Sequence, residues 1–275
     1  MNGICLNGKI ITGDKPVLNA ANRGFRYGDA LFETMKFKDG KVLLASYHFE
    51  RLFAGISLLK MDIPGFFTLE KIIAEIIQLC KRNKCEGLAR VRLTIFRSDG
   101  GLYGSNNSLE YLIECWPLNE AGNKLNENGL TIGIFPDARK SCDKFSNLKS
   151  ANYLPNVMAA LYTIENKLND CLLLNVYGRI CETTIANVFW VKDSSIYTPP
   201  LTEGCVAGVM RRYLMDQLKG VKEKVCEMND LENADEIFLT NAIKGIRWVK
   251  QFGNRIYENT NTLKIYTDCV FSTFK

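Results

Sequence analysis

Lys149 and Glu182 have the side-chain types that covalent and proton-transfer chemistry needs. Lys149 lies in Ser146-Asn147-Leu148-Lys149-Ser150-Ala151-Asn152-Tyr153, among small and polar residues just before a predicted helix. A lysine becomes a nucleophile or base when burial or a nearby cation lowers its pKa. The local sequence shows neither and equally suits a solvated lysine. Glu182, in Arg179-Ile180-Cys181-Glu182-Thr183-Thr184, follows the Tyr177-Gly178 turn. It either caps the threonine-rich turn or offers a carboxylate to a pyridine nitrogen, keeping that ring protonated as an electron sink. Gly204-Cys205-Val206-Ala207-Gly208-Val209-Met210-Arg211 runs from a loop into a helix, whose first N–H groups favour an anion such as phosphate. Arg51, on another predicted helix, either pairs with Glu50 or Asp62 or delivers a guanidinium to a phosphate. Thr240-Asn241-Ala242 adds polar groups at a strand end.

Composition narrows the chemistry. The 275 residues include one histidine, His48, so a histidine-rich zinc site is excluded and no metal site is expected. Acid–base work then falls to Lys, Glu, Tyr or a cofactor. None of the ten cysteines forms Cys-x-x-Cys, and several lie in apolar runs, as expected for reduced core thiols of a cytoplasmic protein. The net charge of +5 is scattered, with no basic block for a nucleic-acid backbone, and solvated surface or a small anionic ligand explains it. No apolar run reaches the ~18 residues that span a membrane, and the N-terminus lacks a signal-peptide pattern.

The elements that must position these residues follow from periodicity and turn chemistry. Asn7-Gly8 and Asp39-Gly40 each sit between apolar alternations, predicting two hairpins. Ser46 is expected to cap a helix with apolar residues at 49, 52, 53, 56 and 59, and Thr68 to start another. Ala89–Phe96 and Glu110–Trp116 predict strands. The polar, Asn- and Gly-rich stretch after them reads as a linker. Beyond it, strands at 131–135, 171–178, 187–191, 196–200, 236–241 and 245–252 alternate with helices at 152–168 and 208–218. The expected organisation is an α+β domain over 1–117, a linker over 118–129 and an α/β domain over 130–275, with a ligand cleft between the two domains.

These pieces, in this order, resemble the class IV aminotransferases, the fold type IV enzymes of pyridoxal 5′-phosphate (PLP) that include D-amino acid aminotransferases. Asn22-Arg23-Gly24-Phe25-Arg26-Tyr27-Gly28-Asp29 is similar to the family's early Arg-Gly-Phe-x-Tyr-Gly-Asp signature. His48-x-x-Arg51-Leu52, the Lys149 segment, the Glu182 segment, Val206–Arg211 and Ala234-Asp235-Glu236 follow across nearly the whole chain. The resemblance implies a catalytic Lys149 that holds PLP as a Schiff base, with Glu182 at the pyridine nitrogen. It implies phosphate binding by Arg51, Val209, Met210 and the Asn241-Ala242 turn, and Tyr153 near the phenolic oxygen. It further implies a small amino-acid-like substrate, with Tyr27 near it, and a homodimer.

Two stretches bear on substrate. Arg97-Ser98-Asp99-Gly100-Gly101-Leu102-Tyr103 resembles an Arg-Gly-x-Gly-Gly-x-Gly-Tyr stretch of aminodeoxychorismate lyases, departing from it at Ser98-Asp99 and Leu102. In that reading Arg97 and Asn241 contact substrate, and Thr240-Asn241-Ala242 matches the lyases' Asn-Ala pair. The resemblance therefore implies PLP-dependent elimination giving 4-aminobenzoate and pyruvate, a step toward folate. The alternatives are a branched-chain or D-amino acid aminotransferase using 2-oxoglutarate, and a non-catalytic PLP-binding protein, against which Lys149 and Glu182 argue.

Overall fold

The computed structural model describes residues 2–104, 106–119 and 124–271. Part of the expected linker, 120–123, lies outside the described residues. The chain divides into two compact units, Met1–Glu120 with Lys149–Asn152, and Ala121–Leu148 with Tyr153–Lys275. Each unit holds one sheet.

In the first unit, β1 (Gly3–Leu6), β2 (Lys9–Thr12), α1 (Arg23–Tyr27), β3 (Ala30–Lys38), β4 (Lys41–Val42), α2 (Ala45–Leu58), α3 (Leu69–Arg82), β5 (Leu88–Arg97) and β6 (Leu109–Pro117) follow in order. The sheet runs β2-β1-β6-β5-β3-β4 and is antiparallel throughout. Both predicted hairpins form. Asn7 and Gly8 at φ 47° and 83°, and Asp39 and Gly40 at 45° and 81°, adopt the left-handed pair that a two-residue turn between right-twisted strands requires. Phe49, Leu52 and Ile56 of α2 and Ile72, Ile76 and Leu79 of α3 are buried, so each helix covers the sheet with an apolar stripe.

Thr68 caps α3 as expected, its side chain accepting from the Lys71 N–H. Ser46 does not cap α2. Only Leu43 and Leu44 separate β4 from this helix, so Leu44 turns the chain at φ 54° and the helix begins at Ala45, one residue before Ser46. Helix α1, too short for a periodic signal, is capped by Asn22 and closed by left-handed Gly28. A Cβ on Gly28 would lie 2.5 Å from Asn152 Oδ1, so this position takes only glycine.

In the second unit, β7 (Leu130–Lys140), α4 (Leu154–Glu165), β8 (Asp170–Asn175), β9 (Ile180–Thr183), β10 (Asn187–Lys192), β11 (Ser195–Thr198), α5 (Val209–Gln217), β12 (Lys222–Glu223), α6 (Met228–Glu232), β13 (Glu236–Asn241), β14 (Gly245–Phe252), β15 (Arg255–Ile256) and α7 (Thr260–Ile265) follow. The mixed sheet runs β12-β11-β10-β13-β14-β7-β8-β9, with β15 added to β14. Strand β8 is almost continuously buried, matching its unbroken Cys171-Leu172-Leu173-Leu174 run. Trp190, Ile237, Leu172 and Val249 anchor one core, and Phe189 stacks on Phe238 with centroids 5.0 Å apart. Among the described residues, no helix is long and apolar enough to cross a membrane.

Candidate active site

In the first unit the expected site residues gather around the start of β3. Lys149 precedes α4, which begins at Leu154. It lies in an extended strap, where the Phe32 N–H donates to the Lys149 carbonyl and the Ala151 N–H to the Ala30 carbonyl, both at 2.9 Å. Leu31 and Ser150 thereby form an antiparallel bridge. Backbone pairing thus sets where the half-buried Lys149 side chain projects. Its Nζ sits 4.5 Å from the Phe32 ring centroid, and the Arg92 guanidinium lies 3.9 Å from the same centroid.

The residue after Phe32 was missed as a site residue from the sequence. Glu33 is buried and accepts from Nε of Arg51 at 2.8 Å, while its other oxygen meets Nη2 of Arg51 and Nδ1 of His48, the last at 2.6 Å. Burial pushes the Glu33 carboxyl up, but the Arg51 charge and the His48 and Arg51 hydrogen bonds outweigh it and hold the pKa down to about 2. Burial also lowers the His48 pKa, helped by the Arg51 and Lys149 charges and opposed by Glu33. The neutral imidazole donates from Nδ1 to Glu33 and leaves a buried Nε2 without a partner. Arg51 is therefore oriented from behind by Glu33, one turn along α2 from His48.

Arg97 lies at the end of β5. It is buried, and its guanidinium is taken up inside the unit. Nε donates to Asp29 Oδ2 at 2.8 Å, Nη1 to Asn107 Oδ1 at 2.7 Å and the Lys60 carbonyl at 3.3 Å, and Nη2 to the Leu59 carbonyl at 2.7 Å. It rivets the end of α2 to the Asp29 loop instead of reaching for a substrate carboxylate. Arg23 Nε also meets Asp29 at 3.1 Å, so the Arg23–Asp29 motif is in large part a structural clasp. Tyr27 is exposed at the end of α1.

The second unit gathers Glu182, Tyr153 and the α5 N-terminus. Buried Glu182 on β9 accepts from the Val206 N–H at 2.8 Å and ion-pairs with Lys140 at the end of β7. Lys140 was not singled out from the sequence. Burial works to lower its pKa, but the Glu182 charge and hydrogen bond, together with the neighbouring Cys181 and Cys205, outweigh it and the Lys140 pKa is raised. Asn187 donates from Nδ2 to the Val206 carbonyl at 2.9 Å. Its Oδ1 lies where a Cβ on Gly208 would fall, 1.8 Å away, so Gly208 leaves room for nothing larger. Gly208 is the N-cap of the nine-residue α5 and offers no side-chain cap, which leaves the first-turn N–H groups, including those of Val209 and Met210, without intrahelical acceptors. Thr240, paired with Asn187 across the sheet, holds a buried hydroxyl without a partner. The Asn241 side chain accepts from the N–H groups of Ile243 and Lys244 and shapes the turn through Ala242.

Tyr153 donates its hydroxyl to the Thr184 carbonyl at 3.2 Å, which also accepts from Asn156 at 3.0 Å. That segment is fixed by Asp170, a third residue the sequence did not reveal. Its carboxylate accepts from Thr183 Oγ1, Thr184 N and Thr184 Oγ1 at 2.8, 3.1 and 2.6 Å. A buried carboxylate beside a cation and an uncapped helix N-terminus over a glycine cradle suit a cationic ring nitrogen and a phosphate.

The family model for amino-transferase class IV matches residues 30–252. The chain belongs to the class IV aminotransferases, a family of PLP enzymes. Among curated relatives, it is 30% identical over 251 residues to an aminodeoxychorismate lyase of Bacillus subtilis, covering 87% of this chain and 83% of that protein. It is 26% identical over 252 residues to a D-alanine aminotransferase of Staphylococcus haemolyticus, covering 87% and 85%. A branched-chain aminotransferase structure from Thermoproteus uzoniensis superposes with a TM-score of 0.87 at 20% identity, covering 99% of this chain and 95% of that one. The fold is therefore that of fold type IV enzymes, and the chain is a PLP-dependent lyase or aminotransferase of this class.

Proposed function

We propose that this class IV enzyme is a 4-amino-4-deoxychorismate lyase, converting aminodeoxychorismate to 4-aminobenzoate and pyruvate. The observation that carries the reading is the 30% identity to a lyase across 87% of the chain. When bound, PLP supplies an electron sink for the pair left at the substrate's amine-bearing carbon. Lys149 is assigned the amine that carries the cofactor and then, once freed, removes the proton from that carbon. Glu182, held by the Val206 N–H and Lys140, is assigned to the pyridine nitrogen. Arg51, the N–H groups of Val209 and Met210, and the Asn241-Ala242 turn are assigned to the phosphate. Tyr153 is assigned to the phenolic oxygen and Tyr27 to the substrate. Loss of the enolpyruvyl group as pyruvate makes the ring aromatic, which supplies much of the driving force.

A second reading, an aminotransferase on D- or branched-chain amino acids with 2-oxoglutarate, draws on the D-alanine aminotransferase relative. The same lysine would return the proton to the cofactor side instead of completing an elimination. Purified enzyme loaded with PLP and given aminodeoxychorismate should release 4-aminobenzoate and pyruvate in equal amounts. Turnover of D-alanine or leucine with 2-oxoglutarate, without 4-aminobenzoate, would overturn the lyase assignment. The working assembly in this reading is a cytoplasmic homodimer, measurable by light scattering after gel filtration.

A further inference from the structure

Three thiols that serve no part of this chemistry meet inside the first unit. Cys80 on the last turns of α3, Cys85 in the loop that follows, and Cys115 on β6 are all buried, and their sulfurs lie within 4.8 Å of one another. The Cys85 and Cys115 sulfurs are 3.6 Å apart. We propose that Cys80, Cys85 and Cys115 form a three-thiolate site for a thiophilic d10 cation, zinc(II), with the fourth position left to water.

The geometry is close to what the ion needs. Zinc–sulfur bonds of about 2.3 Å at tetrahedral angles put sulfurs roughly 3.8 Å apart. The three sulfurs need to shift by little more than the side-chain rotation that points them at a common centre. The backbone is already organised for this. The Cys85 N–H donates to the Cys80 carbonyl at 3.0 Å, closing the Cys-x4-Cys loop, and Lys84 turns it at φ 54°. Asn83 clamps the loop to β1, exchanging hydrogen bonds with the Gly3 N–H and carbonyl at 2.7 and 2.9 Å, and its Nδ2 also reaches the Cys115 sulfur at 3.2 Å. Soft thiolates select zinc or copper(I) over hard cations. Three thiolates around a divalent ion leave one net negative charge, against two for a monovalent ion. In a buried site the smaller imbalance is favoured, and Lys81, Arg82 and Lys84 flank the cluster in sequence to offset it.

Cys115 lines a cavity of about 330 Å³ together with Gly3, Gly13, Asp14, Glu114 and Trp116, room for on the order of ten waters. Binding is a balanced exchange. Three S–H bonds release three protons to solvent as three S–Zn bonds form, with no change of oxidation state. The site lay beyond sequence reading because the third ligand comes from a strand 30 residues away from Cys85, and no Cys-x-x-Cys announces it.

The test uses the PLP-loaded chain, reduced, stripped with chelator and titrated with zinc chloride. One equivalent should bind with release of protons, and X-ray absorption should show three sulfur neighbours at about 2.3 Å. Cobalt(II) in its place should give an intense thiolate charge-transfer band. Cys85→Ser and Cys115→Ser should each weaken zinc binding by at least roughly tenfold, while Cys142→Ser, in the other unit, leaves it unchanged. Absence of stoichiometric uptake by the wild-type chain, or fewer than three sulfurs around the ion, would overturn the proposal without recourse to any variant. So would binding that survives both serine substitutions in chains shown by circular dichroism to be folded.

Discussion

Arg51 meets Glu33 with two nitrogens, its Nε 2.8 Å from Glu33 Oε1, from a helix that packs on the strand carrying the carboxylate. The pair makes the stability of the first unit depend on pH. Glu33 has its pKa lowered from 4.5 to about 2 in the fold, so its contribution is fully present above the unfolded value. It is lost as pH falls from 4.5 toward 2, on the order of 3 kcal/mol in all. Urea unfolding at pH 7, 4 and 3 should show this decline, and Glu33→Gln should lower stability at pH 7 while flattening the acid limb. An unchanged acid limb in the variant would show that another group drives it.

His48 offers a direct view of the same cluster, since it is the chain's one histidine. Its pKa is lowered from 6.5, first by burial. The neutral form is therefore favoured in the fold, and stability falls as pH drops below 6.5, where the unfolded chain gains a proton that the folded one resists. In an NMR titration the single imidazole signal should move with a midpoint below pH 6.5. A midpoint at or above 6.5 would contradict a neutral, buried His48.

Arg97→Ala separates a rivet from a substrate ligand. With its guanidinium holding Asp29, Asn107 and the carbonyls at the end of α2, removal should cost about 3–5 kcal/mol, as for other buried pairs left unbalanced. KM measured on the folded fraction should not change. A raised KM with unaltered stability would restore Arg97 to the substrate.

Local chemistry made much of the fold legible, and non-local pairing hid much of the site. Asn7-Gly8, Asp39-Gly40 and Thr68 act on their immediate neighbours, so their hairpins and helix start could be read directly. Ser46 could not, because the two-residue link from β4 starts α2 before it. His48 and Arg51, three apart on one helix face, were a readable signal that a shared acid lay opposite. Which acid it was depended on β3. Lys140 and Asp170 carried no signal at all, since β7, β8 and β9 must pair before either reaches its partner. The internal partners of Arg97 were not legible because a strand-end arginine looks alike whether solvated or buried.

Gly208→Ala tests the cradle at α5. The new methyl would sit 1.8 Å from Asn187 Oδ1, forcing that side chain away and breaking its hydrogen bond to the Val206 carbonyl. Overpacking of this kind costs about 1–3 kcal/mol, and PLP affinity followed by absorbance should fall. Gly65→Ala, where a Cβ meets nothing within 4 Å, should leave both unchanged. Equal effects from the two substitutions would remove the cradle from the account of cofactor binding.

Lys140 tests whether Glu182 is held in place by a neighbouring cation. Both are largely buried, and burial works to lower the lysine's pKa, yet Glu182, with Cys181 and Cys205, keeps it raised. Lys140→Met should leave buried Glu182 held by the Val206 N–H without its ion-pair cation, costing about 3–5 kcal/mol. The double variant with Glu182→Gln should lose less than the sum of the two single losses, because the second change removes the charge that the first stranded. A stability loss alone would suit any buried pair. Positioning of the cofactor's ring nitrogen adds a spectroscopic demand. The pH dependence of bound PLP absorbance should shift in Lys140→Met and return in Lys140→Arg, which restores the cation. If the two losses add and the absorbance profile stays fixed, Lys140 is a packing residue and Glu182 is oriented by the backbone of Val206 alone.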